Sequence, residues 1–209
     1  MSQLPRSRAA AAPAAGSRVG YRLRDLPGDL RALRGGRGSA AATLDPVLRE
    51  EIMLAVARQN ACRFCVFTHE ALATAAGLSQ HRSTDGTAGS VAERRASAVD
   101  YALALVATDS PDRRRARDAA LRCHGEAGIR AIERLSRLTA IGSRAGNSVD
   151  ALRARLHGQV QPNSPLVDEL VVSVLAAIVA PVVLARIAQV QGRSPLKVWR
   201  DFAAVARSR

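Results

Sequence analysis

Aromatic residues are scarce in this 209-residue chain: Phe, Trp and Tyr together supply 3% of it. Alanine, leucine and valine must therefore build the core, which suits closely packed helices better than a β-sandwich. Cysteine is scarcer still, and three residues, an odd number, do not make the disulfide framework of a small secreted domain. Lysine is nearly absent, with Lys197 the only one among 31 basic residues. The net charge of +13 raises nucleic acid or an anionic surface as partner. An Arg-plus-Ala bias of this strength is also what GC-rich coding produces, so we read most of the charge as solvated surface. No apolar run reaches the roughly 20 residues of a membrane helix. The longest stretch, Leu170 to Ala185, has sixteen residues and contains Pro181. It is expected to be a buried core or interface helix. Arg6 and Arg8 precede "AAAAPAAGS", which is too weakly apolar and too proline-broken for a signal-peptide core. These absences lead us to expect a cytoplasmic protein without a membrane segment.

What remains is a chain that is 47% apolar and long enough for one domain with appendages. Residues 1–40, with eight arginines against two aspartates, read as a flexible basic arm with a short helical possibility near Asp29 to Leu33. Residues 41–209 read as an all-helical domain. Asp45 and Pro46 are start signals for a first helix, with Leu48, Ile52, Ala55, Val56 and Gln59 on its apolar stripe. Asn60 is placed to cap a second helix that stops at Gly77. Ser90 and Glu93 match a capping box for the next. Pro111 opens a helix that ends near Gly125, and "GIRAIERLSRLTAIG" and "SVDALRARL" read as two further pieces. Ser164 and Pro165 open a long apolar helix, or two joined at Pro181, and "PLKVWRDFAAVA" holds a short last one. No strand-like alternation between turn pairs is present. The helix starts "DPVLREEIMLAVA" and "SPLVDELVVSVLA" echo one another, as a degenerate repeat or as shared helix-start grammar.

The reactive side chains gather in one window, "NACRFCVFTHE" over residues 60–70. Cys62 and Cys65 stand at i and i+3, close enough on one helix face to close a disulfide in a first turn. A helix N-terminus also favours thiolate. His69 lies one turn beyond Cys65 and can take its proton directly or through a water. Phe64, Val66 and Phe67 would wall the group from solvent.

These residues, read as E-x11-C-x-x-C-x-x-x-H from Glu50 through Cys62 and Cys65 to His69, resemble the AhpD-like alkylhydroperoxidases of the carboxymuconolactone decarboxylase superfamily. The resemblance runs from about Asp45 to Ser79 and thins afterwards. It implies a small all-α subunit that assembles into trimers or hexamers and works without a bound cofactor or metal. It further implies that Cys65 attacks a hydroperoxide, that Cys62 resolves the sulfenate into a disulfide, and that His69 and Glu50 relay the proton. An external dithiol, thioredoxin-like or lipoyl-bearing, would reduce the disulfide. In the best-known peroxidase a histidine precedes the second cysteine, where Phe64 stands here. The founding decarboxylases lack the cysteine pair.

Other readings stand beside this one. The two cysteines can be small core side chains, His69 a hydrogen-bonded core histidine, and Glu50 a solvated first-turn acid whose part Glu51 could take. Zinc could be held by Cys62, Cys65 and His69 with a fourth ligand from Cys123 or His124, although structural zinc sites usually pair two ligand clusters on short turns. A non-catalytic protein of the same fold could use the Arg-rich arm to bind nucleic acid or an acidic partner. The run "PDRRRARD" is bracketed by acids and lacks interleaved aromatics, so it does not argue for nucleic acid.

Overall fold

The computed structural model describes residues 19–34, 44–77, 89–107, 110–162 and 164–207. Among them there is no strand. A short 3-10 turn, Leu23–Asp25, leads into α1, Leu26–Arg34. The other helices are α2 (Pro46–Gln59), α3 (Arg63–Ala75), α4 (Gly89–Val106), α5 (Arg113–Leu156), α6 (Leu166–Gln191) and α7 (Pro195–Arg207). The all-α expectation is met.

Local chemistry sets several of these boundaries. Asp45 Oδ1 accepts a hydrogen bond from the Val47 amide at 3.1 Å, with Pro46 in the first turn, so α2 starts where its cap and proline place it. Beyond the end of α3, Gly77 takes φ 91°, a conformation that costs glycine little. Leu48, Ile52 and Val56 of α2 pack with Ala98, Tyr101 and Ala102 of α4 and Ile129, Ile132 and Leu135 of α5. Val47 and Leu54 form a second apolar contact with Ala73 of α3. Helix α2 is thus buried on two sides, and Ala55 and Gln59 of the expected stripe are only half-buried. One hydroxyl ties the bundle at a polar point. Tyr101 donates to Glu133 Oε1 at 2.7 Å, and burial with this bond pushes the phenol up to about 12.

Three expectations need correction. The pieces expected on either side of Gly142–Ser143 are one continuous helix. The break expected near Gly125 is present as a kink within α5, with φ 63° and ψ 179°. The arm expected over residues 1–40 is docked where it is described. Tyr21 is buried, its amide donates to Arg144 O at 3.0 Å and Ser148 Oγ at 2.8 Å, and its hydroxyl donates to Asp29 Oδ2 at 3.0 Å. Arg144 lies over the Tyr21 ring at 5.2 Å and donates to Asp29 at 3.0 Å. Residues 1–18 and 35–40 of that arm lie outside the described residues, as do Leu78 and Ser79 of the family-like stretch. The capping-box side chain of Ser90 lies outside the description as well.

The third concerns the apolar helix. α6 runs unbroken through Pro181 for 26 residues, long and apolar enough by length and composition to cross a membrane. Its buried residues are Glu169, Val172, Leu184, Ile187 and Ala188. Val167, Val171, Val174, Ile178 and Val182, spaced by three and four, form an exposed stripe, with Val182 at 70%. Within the monomer this helix is a surface, not a core.

Glu169, fully buried at the start of α6, is held by Arg155 of α5 through Nε at 2.7 Å and Nη2 at 2.9 Å. Arg155 Nη2 also donates to Ser164 O at 2.7 Å, fixing the turn between the helices. The Arg155 guanidinium holds the Glu169 carboxyl below its usual range. Its contribution is therefore present above the unfolded value and lost as pH falls through the lower folded one. Glu169→Gln should lower Tm at pH 7, by roughly 2–4 °C for each kcal/mol of pairing lost. The gap from the parent should close in melts taken at progressively lower pH, and a gap independent of pH would assign the loss to packing.

Candidate functional site

The window of cysteines begins at a tight reversal. Asn60 ends α2 and does not cap α3, because Ala61 takes φ 51° and turns the chain before the next helix starts. That conformation costs a non-glycine residue about 1–2 kcal/mol. The turn is held by the Cys62 amide, which donates to Ala57 O at 3.1 Å, and by Asn147 Nδ2, which donates to Asn60 O at 3.0 Å. Cys62 itself, with extended backbone, is the N-cap of α3: its sulfur accepts from the Cys65 amide at 3.3 Å. A sulfur does here what a serine oxygen usually does.

The two thiols, both free, sit in unlike surroundings. Cys62 is fully buried under α5, where a Cβ on Gly146 would lie 2.5 Å from its sulfur. Glycine is required at 146 for that close approach. Hydrogen bonding with Cys65, burial and the Asp150 carboxylate all push the Cys62 thiol up. Cys65 lies one turn on, where a Cβ added to Gly142 of α5 would stand 4.0 Å from its sulfur, an ordinary contact. A hydrogen bond from Cys62, the Ser143 hydroxyl and the His69 charge lower it to about 7, against the opposing effect of burial. At neutral pH Cys65 is the thiolate of the pair and Cys62 the thiol.

His69, one turn beyond Cys65, makes a 3.1 Å contact from Nδ1 to Glu50 Oε2, and each side chain is 15% exposed. A carboxylate only accepts, so Nδ1 carries the proton and Nε2 is left with a lone pair for the Cys65 proton. Glu51 turns away to Arg95, at 2.9 Å. The four residues read from the sequence are therefore brought together. The fourth zinc ligand is not: His124 Nε2 is bonded to Arg94 O at 2.8 Å, and among the described residues no three His, Cys, Asp or Glu side chains gather as a metal site.

Sequence reasoning missed the other half of the site, supplied by α5. Gly142 and Gly146 let the helix approach, Ser143 presents its hydroxyl, and Asp150 binds Arg63, the residue after Cys62, through Nε at 3.0 Å. The G-S-x-x-G spacing in "IGSRAGNS" is the signal that could have found them, as small residues four apart mark a close helix contact. Ser143 is fully buried, yet its Oγ has no partner of regular geometry among the described residues. A cavity of about 610 Å³ opens beside Cys65 and His69.

Alkylation of Cys65 by iodoacetamide should rise with pH through a midpoint near 7 while Cys62 stays unreactive in the native protein. Ser143→Ala removes a donor to the thiolate and should move that midpoint upward. An unchanged midpoint would show that the hydroxyl is silent.

The model of the carboxymuconolactone decarboxylase family matches residues 25–108, from the end of the 3-10 turn through α4. No curated protein and no solved structure matches the chain. The family match begins within the stretch expected to be an arm, and it stops short of α5, α6 and α7. Over residues 25–108, which hold Glu50, Cys62, Cys65 and His69 together, this chain is similar to the carboxymuconolactone decarboxylase family.

Proposed function

We propose that the protein is an AhpD-like thiol peroxidase that reduces hydroperoxides through Cys65 and Cys62. The observation that carries this reading is the continuous line from Glu50 through His69 to an acidified Cys65, backed by a buried, protonated Cys62.

His69 Nε2 takes the Cys65 proton, and Glu50 stabilises the imidazolium that results. The thiolate attacks the terminal peroxide oxygen: the S–O bond forms, the O–O bond breaks, and the departing alkoxide takes the proton back from His69 to leave as alcohol. Cys65 is now a sulfenic acid. The Cys62 sulfur attacks it, an S–S bond forms, and the hydroxyl leaves as water with the Cys62 proton. An external dithiol, thioredoxin-like or lipoyl-bearing, then reduces the disulfide and is itself oxidised. Such dithiols are abundant in the reducing cytoplasm, where we place the protein.

A second copy of the chain is the partner proposed for the outer stripe of α6. Val167, Val171, Val174, Ile178 and Val182 repeat at helix-packing spacing, and the resemblance to AhpD-like subunits carries an oligomer with it. Sedimentation of the full chain should give a trimer or hexamer, and Ile178→Asp should shift it towards monomer. A monomeric parent would remove this assignment.

On fully reduced protein, one equivalent of cumene hydroperoxide should consume two thiols within seconds, and peptide mapping should find a Cys62–Cys65 disulfide. Cys65→Ser should abolish the reaction, whereas Cys62→Ser should stop at a sulfenic acid trapped by dimedone. His69→Ala should slow the first step by roughly 100-fold. Thiols that stay inert until the protein is denatured would overturn the proposal.

A further inference from the structure

The cavity above Cys65 has walls that differ in kind from its floor. The floor is Cys65 and His69. The walls are apolar side chains from several elements, among them Leu26 of α1, Phe64 of α3, Val149 of α5, Leu175 and Val183 of α6 and Phe202 of α7. No arginine, lysine, aspartate or glutamate is among the lining residues. Its volume, about 610 Å³, falls in the range that holds a ligand of tens of atoms.

The polar groups of the wall are few and mostly engaged. Tyr21 gives its hydroxyl to Asp29, and Thr68 gives its own to Phe64 O at 3.0 Å. Ser173 Oγ is buried without a partner and can serve one neutral acceptor. Neighbouring cations are already committed outside the cavity: Arg63 to Asp150, Arg144 to Asp25 and Asp29, Arg155 to Glu169. A carboxylate entering this space would lose its water and meet no counter-ion. A peroxide without carbon would gain nothing from the walls.

From this we infer that the site selects a bulky, uncharged hydroperoxide with an apolar skeleton and at most one neutral acceptor along it, against both hydrogen peroxide and hydroperoxides bearing a carboxylate. The inference rests on the peroxidase reading and adds the substrate class to it. Each methylene seated against the walls should raise kcat/KM roughly fourfold until the space is filled. The reduced product leaves as a neutral alcohol, with the same apolar contacts to be broken on release.

The test is single-turnover oxidation of the reduced full-length protein, followed by thiol loss, with three oxidants: hydrogen peroxide, linoleic acid hydroperoxide and its methyl ester. The acid and ester are compared below their aggregation thresholds. The ester should react at least 100-fold faster than hydrogen peroxide and at least tenfold faster than the free acid at pH 8. Val183→Lys, which puts a cation in the wall, should narrow the gap between acid and ester. Hydrogen peroxide or the free acid matching the ester would overturn the substrate class while leaving the peroxidase reading intact. If none of the three consumes the Cys62 and Cys65 thiols, both fall together.

Discussion

The contact between Cys62 and Gly146 is the constraint on which the rest of the site depends. One sulfur caps α3, lies against α5 where a methyl group would collide, and faces the second thiol. Because α5 can come so close, Ser143 and Asp150 reach the pair from the same side, and the approach is sealed from water. Because the sulfur caps the helix, the two thiols are held by the first turn itself and not by a mobile loop. The Ala61 strain is the cost of this arrangement, offset by the bonds to Ala57 O and Asn60 O. Such local strain commonly sits beside reactive groups whose placement the surroundings over-determine.

Two cysteines three residues apart would titrate alike on an isolated helix. Here the hydrogen bond between the sulfurs raises Cys62 and lowers Cys65, burial raises both, and the Asp150 carboxylate and the His69 imidazole add smaller effects in the same two directions. Glu50 works on this sorting at one remove, by fixing which nitrogen of His69 is free. A comparable acid at the start of α6, Glu169, is spent on Arg155 and the helix turn instead. The echo between the two helix starts thus ends in one acid bonded to His69 and one bonded to Arg155.

What was legible in the sequence was local. Asp45 with Pro46, Gly77, and the spacing of Cys62, Cys65 and His69 all act within a turn or two, and each is found where the pattern put it. Glu50 lies nineteen residues before His69, and its pairing was legible through the family resemblance, since spacing alone left Glu51 as a rival. What was hidden depended on neighbours far along the chain. Gly146 looks like part of a helix break until Cys62 is placed against it. Residues 19–34 look like part of a charged arm because local composition does not show that Arg144, far along the chain, gathers Asp25, Asp29 and the Tyr21 ring. The apolar run of α6 looks like core because composition does not report which side of a helix the rest of the chain reaches.

The chemistry and the cavity belong to different lengths of chain. Residues 25–108 carry the thiols, the base and its carboxylate. The walls over them come largely from α5, α6 and α7, with Tyr21 and Leu23 closing one side from ahead of that stretch. In the proposed peroxidase, changes in the flanking segments would alter which molecule is admitted and leave the two sulfurs where they are.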